Sequence, residues 1–472
     1  MQVLWDGNGS PHGGWSRTLN GENWTPPDDL WEVNRGLHLD DPLDGSNDRR
    51  WVDTGAARGE YSHRPLYRVL GVQEAADEPQ PQLQAPPDRG YYLFCGHRGC
   101  GKSTELRRIR QHLHQQDLYY VVFADAARDL DPNNLRYQDI LLHLAAKLTG
   151  QLQMDEIELD PVYVQRLERW FVERVEVQEE TREFAQQAKA GVQVQAGLPL
   201  VGKLFAEISN AFKTNSSYKE ILRQTLQNHF TDFAEAFNHL IEAADEALQQ
   251  AGNGRRILFI IDGTDRLRED DARAFFITDV HQLQQVRGLF IYCAPIHLIY
   301  EGNTIEQDFN RVFKLPMIKI KNADGSNNRA GYEAMRAMLY RRAAEHLFDD
   351  GVADELIAHS GGHPRGLLQL LQQAFQYAEH DRFDDASARR AVVEAASVFR
   401  RILAPDDYQL LAEIDSIDWN MEQPASTERT RRLLYDLALL EYNDHYWRSH
   451  PAVQTAAAYK RARHLIDEAS DG

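Results

Sequence analysis

The chain has 472 residues, of which 42% are apolar and 26% charged, a composition typical of a globular protein with room for about three domains. Its net charge of -20 disfavours broad binding to nucleic acid or anionic lipid. No membrane-length apolar run and no secretory signal is evident, and three cysteines are too few for a disulfide framework, so we expect a cytoplasmic protein without a membrane partner.

The first 71 residues form the least regular part of the sequence. They hold five of the eight tryptophans among many glycines and show little helical or strand periodicity. We interpret residues 1–71 as an irregular arm that docks its aromatic side chains on the rest of the chain. Docking on a partner protein is the alternative, because aromatic residues anchor interfaces. Residues 72–90 are rich in proline, glutamine and acidic residues, which is typical of a linker.

A phosphate-binding loop is predicted by YYLFCGHRGCGKSTEL, residues 91–106, which reads as a strand, a glycine-rich turn and a helix. Glycines let backbone N–H groups approach a phosphate closely. Lys102 would reach the β- and γ-phosphates of ATP or ADP, and Ser103 would bind Mg²⁺ through its hydroxyl. The nucleotide-binding residues predicted here are Gly96, His97, Arg98, Gly99, Cys100, Gly101, Lys102, Ser103 and Thr104.

The residues from 91 to 325 alternate between strand and helix patterns, which predicts an α/β core with a parallel sheet covered on both faces. The expected strands cover 91–95, 118–126, 255–267, 288–295 and 312–320, and a helix follows the loop over 104–116. About 130 residues separate the second and third strands, whereas a crossover needs only about a dozen. We therefore expect a helical insertion over about 155–252, in which residues 190–205 form a bend or, alternatively, a hairpin or lipid-seeking segment.

The remainder of the chain is predicted to be mainly helical. Residues 326–400 would form a helical lid. From 401 to 472, two or three helices lead into LLYDLALLEYNDHYWRSHPAV, residues 433–453, where a helix turns into a short aromatic hairpin. This order of elements predicts a C-terminal winged-helix domain.

Two aspartates at the end of the third strand are candidates for Mg²⁺ binding and for catalysis. Asp262 ends a buried strand, and from this position its carboxylate can accept a hydrogen bond from a Mg²⁺-bound water beside Ser103. Asp265 lies three residues further on and could orient the attacking water. Capping of the following helix is an equally good interpretation of Asp265.

Four stretches together resemble bacterial P-loop ATPases of the AAA+ and STAND kind, relatives of origin-recognition, NACHT and KAP ATPases. They are GHRGCGKSTEL, ILFIIDGTDRL, GGHPRGLL and LLEYNDHYWRSHPAV, and the resemblance covers about residues 90–460. It implies a P-loop NTPase core with five parallel strands in the order 5-1-4-3-2, a helical lid, and a winged helix packed against the nucleotide.

The resemblance also implies roles for residues outside the loop. Arg311 would reach the γ-phosphate of a neighbouring subunit, or else is an ordinary surface arginine. Pro364 and Arg365, in the lid, would touch bound nucleotide. His450 would contact the β-phosphate, or else is a histidine of the core or of a turn.

Two departures from the family pattern indicate slow hydrolysis. Gly263 stands where many such enzymes have a catalytic glutamate, and the fourth strand offers only Cys293 and the later His297 in place of a polar sensor residue. We therefore expect a slow ATP- and Mg²⁺-dependent switch that assembles as a homo-oligomer and signals to a partner effector protein. The assignment to bacterial antiviral defence rests on analogy with the family.

The alternative is a DNA-associated ATPase that places its winged helix on duplex DNA. Arg429, Arg431 and Arg432, on the helix before the hairpin, would then contact phosphates. The acidic composition argues against this alternative.

Overall fold

The computed structural model describes residues 25–74, 81–131, 133–160, 162–163, 166, 216–251, 255–302, 304–322, 324–417, 424–443 and 446–470. The predictions for the first three tryptophans and for the segment 190–205 lie outside these residues. No helix among the described residues is long and apolar enough to cross a membrane.

The described parts of the arm and of the linker contain short regular elements that the sequence did not predict. They are helices α1 (Leu30–Gly36) and α2 (Arg64–Val69) and the antiparallel strands β1 (Val72–Gln73) and β2 (Gln82–Leu83). The predicted linker thus begins as a strand, because Val72 is buried in the same apolar cluster as Leu66 and Leu70. Elements of two to seven residues give too little periodicity to be recognised in a sequence.

Five parallel strands form the central sheet. They are β3 (Gly90–Gly96), β4 (Tyr119–Asp125), β5 (Arg256–Asp262), β6 (Leu289–Pro295) and β7 (Arg311–Lys314). Their spatial order is β4-β5-β6-β3-β7, which is 5-1-4-3-2 when the five are numbered along the chain, so the predicted α/β fold with its P-loop NTPase core is confirmed. The register pairs Gly96 with Pro295 and Asp125 with Asp262, so the carboxyl ends of four strands meet at one edge.

The fifth strand is shorter than predicted and ends at Lys314. Pro316 follows two residues later and has no N–H to donate to a ladder, so the pairing cannot continue along the predicted span. Arg311 is the first residue of β7 and does not precede the strand.

Helices cover both faces of the sheet and connect its strands. They are α3 (Lys102–Gln115), α4 (Ala126–Asp129), α5 (Tyr137–Met154), α6 (Ser216–Asn228), α7 (Phe230–Gln250), α8 (Glu269–Arg273), α9 (Val280–Leu283) and α10 (Thr304–Asp308). A π-helical turn spans Ala274–Thr278, and 3₁₀ turns span Gly45–Asn47, Ala56–Arg58, Thr264–Arg266, Ile296–Tyr300 and Glu345–Leu347.

Helix α7 lies inside the predicted insertion and nevertheless builds the core. The Phe237 and Phe259 rings pack with centroids 6.0 Å apart, and Phe259 stacks on Phe290 at 4.9 Å. One face of the sheet is therefore covered by α5 and α7, and the opposite face packs on α3 through residues such as Leu106 and Ile109.

The chain continues through a helical lid into a winged-helix arrangement. The lid comprises α11 (Arg329–Tyr340), α12 (Val352–Ser360), α13 (Pro364–Tyr377) and α14 (Asp385–Ile402). Beyond it lie α15 (Pro405–Ser416), α16 (Glu428–Tyr435), β8 (Leu439–Glu441), β9 (Trp447–Ser449), α17 (Pro451–Gln454) and α18 (Ala457–Ser470). Because β8 and β9 form an antiparallel hairpin directly after two helices, the predicted winged helix is confirmed.

Candidate functional site

The glycine-rich loop joins β3 to α3 at the edge where the strands end. Gly99 has φ of +84° and Gly101 has φ of +110°, both in the left-handed region that favours glycine. A Cβ on Gly96 would lie 2.9 Å from the Leu315 carbonyl oxygen. The glycines of the motif are therefore required by backbone conformation at two positions and by close packing at the third.

Lys102 is the central cation of the loop. Its Nζ is buried and donates to the carbonyl oxygens of Gly96 and His97, each at 2.8 Å. It also lies 2.8 Å from Oδ2 of Asp265. Burial acts to lower the pKa of Lys102, but the Asp265 carboxylate outweighs this and raises the pKa above its usual value. The lysine is therefore charged and is held by groups that a phosphate would have to replace.

Asp262 and Ser103 form the candidate metal site. The Ser103 hydroxyl donates to Asp262 Oδ1 at 3.0 Å, and the Gly263 N–H donates to the same oxygen at 2.8 Å. Burial, aided by the charges of Asp265 and Asp125, raises the pKa of Asp262 to about 6. Among the described residues no basic side chain forms an ion pair with Asp262. The site therefore offers a hydroxyl and a buried carboxylate as neighbouring oxygen donors, a set that fits Mg²⁺.

Asp265 lies in the 3₁₀ turn after β5 and does not cap the next helix. Helix α8 has Arg268 at its N-cap position and no side-chain capping bond, so the capping interpretation of Asp265 is wrong. Burial acts to raise the pKa of Asp265, but the ion pair with Lys102 lowers it below the usual value. The carboxylate is thus ionised and close to Lys102, while its role toward an attacking water stays a prediction.

Gly263 occupies the position where many P-loop ATPases carry a glutamate, and the backbone explains the difference. Its φ is +82°, and a Cβ there would lie 2.7 Å from the Ala127 backbone nitrogen. A side chain at this position therefore requires both strained backbone and displacement of α4.

The lid packs on the loop through a histidine that the sequence did not single out. His363 Nε2 donates to the Arg98 carbonyl oxygen at 2.9 Å, and burial lowers the pKa of His363 to about 3, which keeps it neutral. Arg365, two residues on, directs its Nε to the Leu39 carbonyl oxygen at 3.2 Å and lies 3.6 Å from Asp40. The predicted lid arginine is thus held by the arm.

The arm closes the remaining side of the site. The Leu43 N–H donates to Thr104 Oγ1 at 3.3 Å, and the Arg108 guanidinium lies 4.2 Å from the centre of the Trp51 ring. This is the self-docking arrangement that we favoured for the arm. Its other contacts with the core include Arg107 with the Pro42 carbonyl oxygen and Arg128 with Asp41.

A cavity of about 150 Å³ lies between the loop, the arm and the lid. Among the predicted site residues, 98–104, Asp265, Pro364 and Arg365 line it. Small-molecule pockets usually measure ~300–1,000 Å³. A nucleotide therefore requires the arm or the lid to move outward from the loop.

The His97 side chain faces the C-terminal hairpin, so a contact of this residue with nucleotide would have to come from its backbone and stays a prediction. It is buried, and its Nε2 accepts from the Glu441 backbone N–H at 2.8 Å. Burial, together with the charge of Lys102, lowers the pKa of His97 to about 3. The neutral ring therefore ties the phosphate loop to β8.

Two residues assigned through the resemblance lie outside the cavity lining. His450 accepts from the Ala452 N–H at 3.1 Å and caps α17, which agrees with the alternative of a turn histidine. Arg311 is exposed and pairs in register with Tyr92, four residues before the loop glycine of β3. At ~3.3 Å per residue it begins its strand about 13 Å from its own loop. Their predicted contacts with phosphate remain predictions.

The three arginines of the DNA-binding alternative are engaged within the chain. Arg429 lies 3.5 Å from Asp407, and Arg432 lies 2.6 Å from the same carboxylate. Arg431 donates to the Tyr300 carbonyl oxygen at 3.4 Å. Binding to phosphates would compete with these contacts.

No protein-family model matches the sequence, and no curated protein matches it. Several solved structures are similar in fold, including the following three. The Orc1 protein of Aeropyrum pernix, solved in complex with DNA, is 15% identical, with 93% of this chain and 86% of that chain covered and a TM-score of 0.35. Cdc6p of Pyrobaculum aerophilum is 12% identical, with coverages of 88% and 99% and a TM-score of 0.32. The RuvB Holliday junction branch migration motor of Thermotoga maritima is 11% identical, with coverages of 80% and 87% and a TM-score of 0.29. Similarity at this level carries no conclusion about activity or partner.

Proposed function

We propose that the protein is an Mg²⁺-dependent ATPase of the AAA+ and STAND kind that acts as a slow molecular switch. The observation that carries this proposal is the Ser103 hydroxyl 3.0 Å from the buried Asp262 carboxylate, directly beside the loop lysine. A hydroxyl at the start of a helix and a carboxylate at the end of a neighbouring strand are the protein ligands expected around the Mg²⁺ of a nucleoside triphosphate.

Each residue of the site has a role in this proposal. Bound Mg²⁺ would neutralise phosphate oxygens. Ser103 and Asp262 would hold the ion, and the loop N–H groups would bind the phosphates. Lys102 would exchange the Asp265 carboxylate for the β- and γ-phosphates. Asp265, once released, would orient the attacking water and accept its proton.

Slow turnover is the expected consequence of the glycine at position 263 and of the small cavity. A glutamate at position 263, where it could activate water, would have to displace α4. In a cavity of this size, exchange of nucleotide would need the arm or the lid to open, and conformational steps of this kind limit turnover in many enzymes. A protein that retains its nucleotide for long periods is suited to signalling.

The proposal extends to assembly and to a partner. Arg311 is exposed and remote from its own loop, which suits a residue that completes the site of a neighbouring subunit in a homo-oligomer. An effector partner and a role in antiviral defence rest on the family analogy. DNA binding through the winged helix is less well supported, because its three candidate arginines already bind acidic side chains or a carbonyl oxygen.

Calorimetric titration with ATP and Mg²⁺ tests the proposal. We expect one site per chain in the unaltered protein and no measurable binding for Lys102→Ala, because the change removes the charge directed at the phosphates. Lys460→Ala, at an exposed position of α18, is the matched control and should bind as the unaltered protein does. Full affinity in a folded Lys102→Ala variant would rule out the assignment of the loop.

A further inference from the structure

Arg58 is a buried arginine supplied by the arm to the wall of the phosphate loop. It ends the 3₁₀ turn Ala56–Arg58, only 3% of its surface is exposed, and it lines the cavity beside Cys100 and Gly101. A Cβ placed on Gly101 would lie 3.6 Å from one guanidinium nitrogen. The charge therefore sits against the backbone of the loop itself.

Among the described residues, the groups that accept hydrogen bonds from Arg58 are all neutral. Its Nε donates to Thr54 Oγ1 at 2.8 Å, and its two terminal nitrogens donate to the Cys100 carbonyl oxygen, at 2.7 Å, and to the Pro316 carbonyl oxygen. Within the part of the chain that the structure describes, no carboxylate forms an ion pair with it. Burial lowers its pKa, although a guanidinium remains charged at neutral pH.

The acidic side chain that acts electrostatically on Arg58 is already committed. Glu105 lies 3.0 Å from His63 and 2.7 Å from Arg108. A buried charge without a counter-ion is costly. An anion bound in the adjacent loop would offset that cost, so the placement of Arg58 favours a phosphate there.

The bond to Cys100 also fixes the direction of a peptide group. In a trans peptide the C=O and the following N–H point to opposite sides. Because the Cys100 carbonyl faces Arg58, the Gly101 N–H points away from the Arg58 guanidinium. Rotation of this peptide would turn a carbonyl oxygen toward the phosphate and repel it.

We infer that Arg58 is a positioning residue for polyphosphate binding. It holds the Cys100–Gly101 peptide in the orientation that presents an N–H to the phosphates, and it adds positive charge to the wall of the cavity. Docking of the arm is thereby a condition for tight nucleotide binding. This inference rests on the proposed nucleotide-binding function.

The test is calorimetric titration of the full chain with ADP and with ATP in Mg²⁺, comparing Arg58→Met and Arg58→Lys with the unaltered protein. Because Arg58→Met removes a buried, charged hydrogen-bond donor, we expect it to weaken the affinity for both nucleotides ~10–100-fold. The stoichiometry should stay at one nucleotide per chain. Arg58→Lys, which keeps the charge but not the forked donor, should weaken them by a smaller factor. Arg35→Met, at an exposed arginine of α1, is the control and should bind normally.

The results separate this inference from the proposed function. If the unaltered protein binds neither nucleotide, both fail. If it binds and Arg58→Met binds equally tightly, only the role of Arg58 fails. A lower stoichiometry with an unchanged Kd would show that Arg58 serves folding alone and would also overturn the inference. Should Arg58→Met give no cooperative melting transition, Arg58→Lys decides, and an unchanged Kd in that variant overturns it.

Discussion

Replacing Asp265 by asparagine should tighten nucleotide binding while it slows hydrolysis. The Lys102 ammonium lies 2.8 Å from the Asp265 carboxylate, with 2% and 9% of the two side chains exposed. Breaking a buried ion pair from one side costs ~3–5 kcal/mol. We take ~3 kcal/mol, because the lysine keeps two carbonyl acceptors. Bound phosphates replace the carboxylate as partner of Lys102, so the substitution destabilises the free protein more than the complex.

The difference between the two states sets the expected gain in affinity. If half to all of ~3 kcal/mol is recovered on binding, the Kd for ATP falls ~10–150-fold. The free Asp265→Asn protein should melt at a lower temperature than the unaltered protein, and ATP should raise its melting temperature by a larger interval. Hydrolysis should slow, because the variant lacks the carboxylate that accepts the proton.

Calorimetry, thermal melting and a phosphate-release assay measure these three effects. Asp270→Asn, on the exposed side of α8, is the matched control and should change none of them. Equal or weaker ATP affinity in Asp265→Asn, with an unchanged melting temperature of the free protein, would refute the idea that Asp265 restrains Lys102. An unchanged hydrolysis rate would refute only its role toward water.

Three further predictions follow from the same region. Asp262 has a pKa of about 6 against a usual 3.8. It should therefore hold Mg²⁺ poorly when protonated, and Mg²⁺-dependent ATP affinity should fall up to ~10-fold per pH unit below about 6. Because the folded pKa is raised, this group favours the free folded protein at low pH and that contribution is lost as the pH rises from about 4 to 6. Gly263→Glu should destabilise the protein by ~2–3 kcal/mol in chemical denaturation and should not accelerate hydrolysis; a faster, equally stable variant would contradict the clash with Ala127. Arg311→Ala should lower turnover up to ~10³-fold, and mixing it with Lys102→Ala subunits should restore part of the activity if the arginine acts between subunits, whereas no recovery would argue for a surface role.

The parts of the fold that local sequence determines were predictable. Strands β3 to β6 are unbroken apolar runs because both faces of the sheet are covered, and the phosphate loop has fixed residue types because its backbone requires them. Asp262 could be placed for the same reason, since it ends such a run. Helix α7 was assigned to an insertion because its length and pattern do not reveal that Phe237 packs on the sheet.

The contacts that close the site could not be predicted, because they join residues far apart in the chain. Nothing in the sequence near Arg58 indicates that its guanidinium reaches a carbonyl 42 positions away. His97 has the position of a phosphate-loop residue, and only the packing of β8 shows that its ring faces the hairpin. His363 was visible within GGHPRGLL, but its partner, the Arg98 carbonyl, is 265 positions distant.

These contacts together explain how phosphate binding would be transmitted. The hairpin donates a hydrogen bond to His97, and the lid donates one to the carbonyl of Arg98. The arm donates one to the carbonyl of Cys100 through Arg58. Three separate parts of the chain thus form hydrogen bonds within the four loop residues 97–100. At ~1 kcal/mol net for each hydrogen bond, a loop that shifts to enclose phosphates would change the docking of these parts by ~1–3 kcal/mol, or about 5–150-fold in an equilibrium. Coupling of this kind is reciprocal: a partner that draws the C-terminal hairpin away from His97 must change nucleotide affinity by the same factor by which nucleotide changes the affinity for that partner.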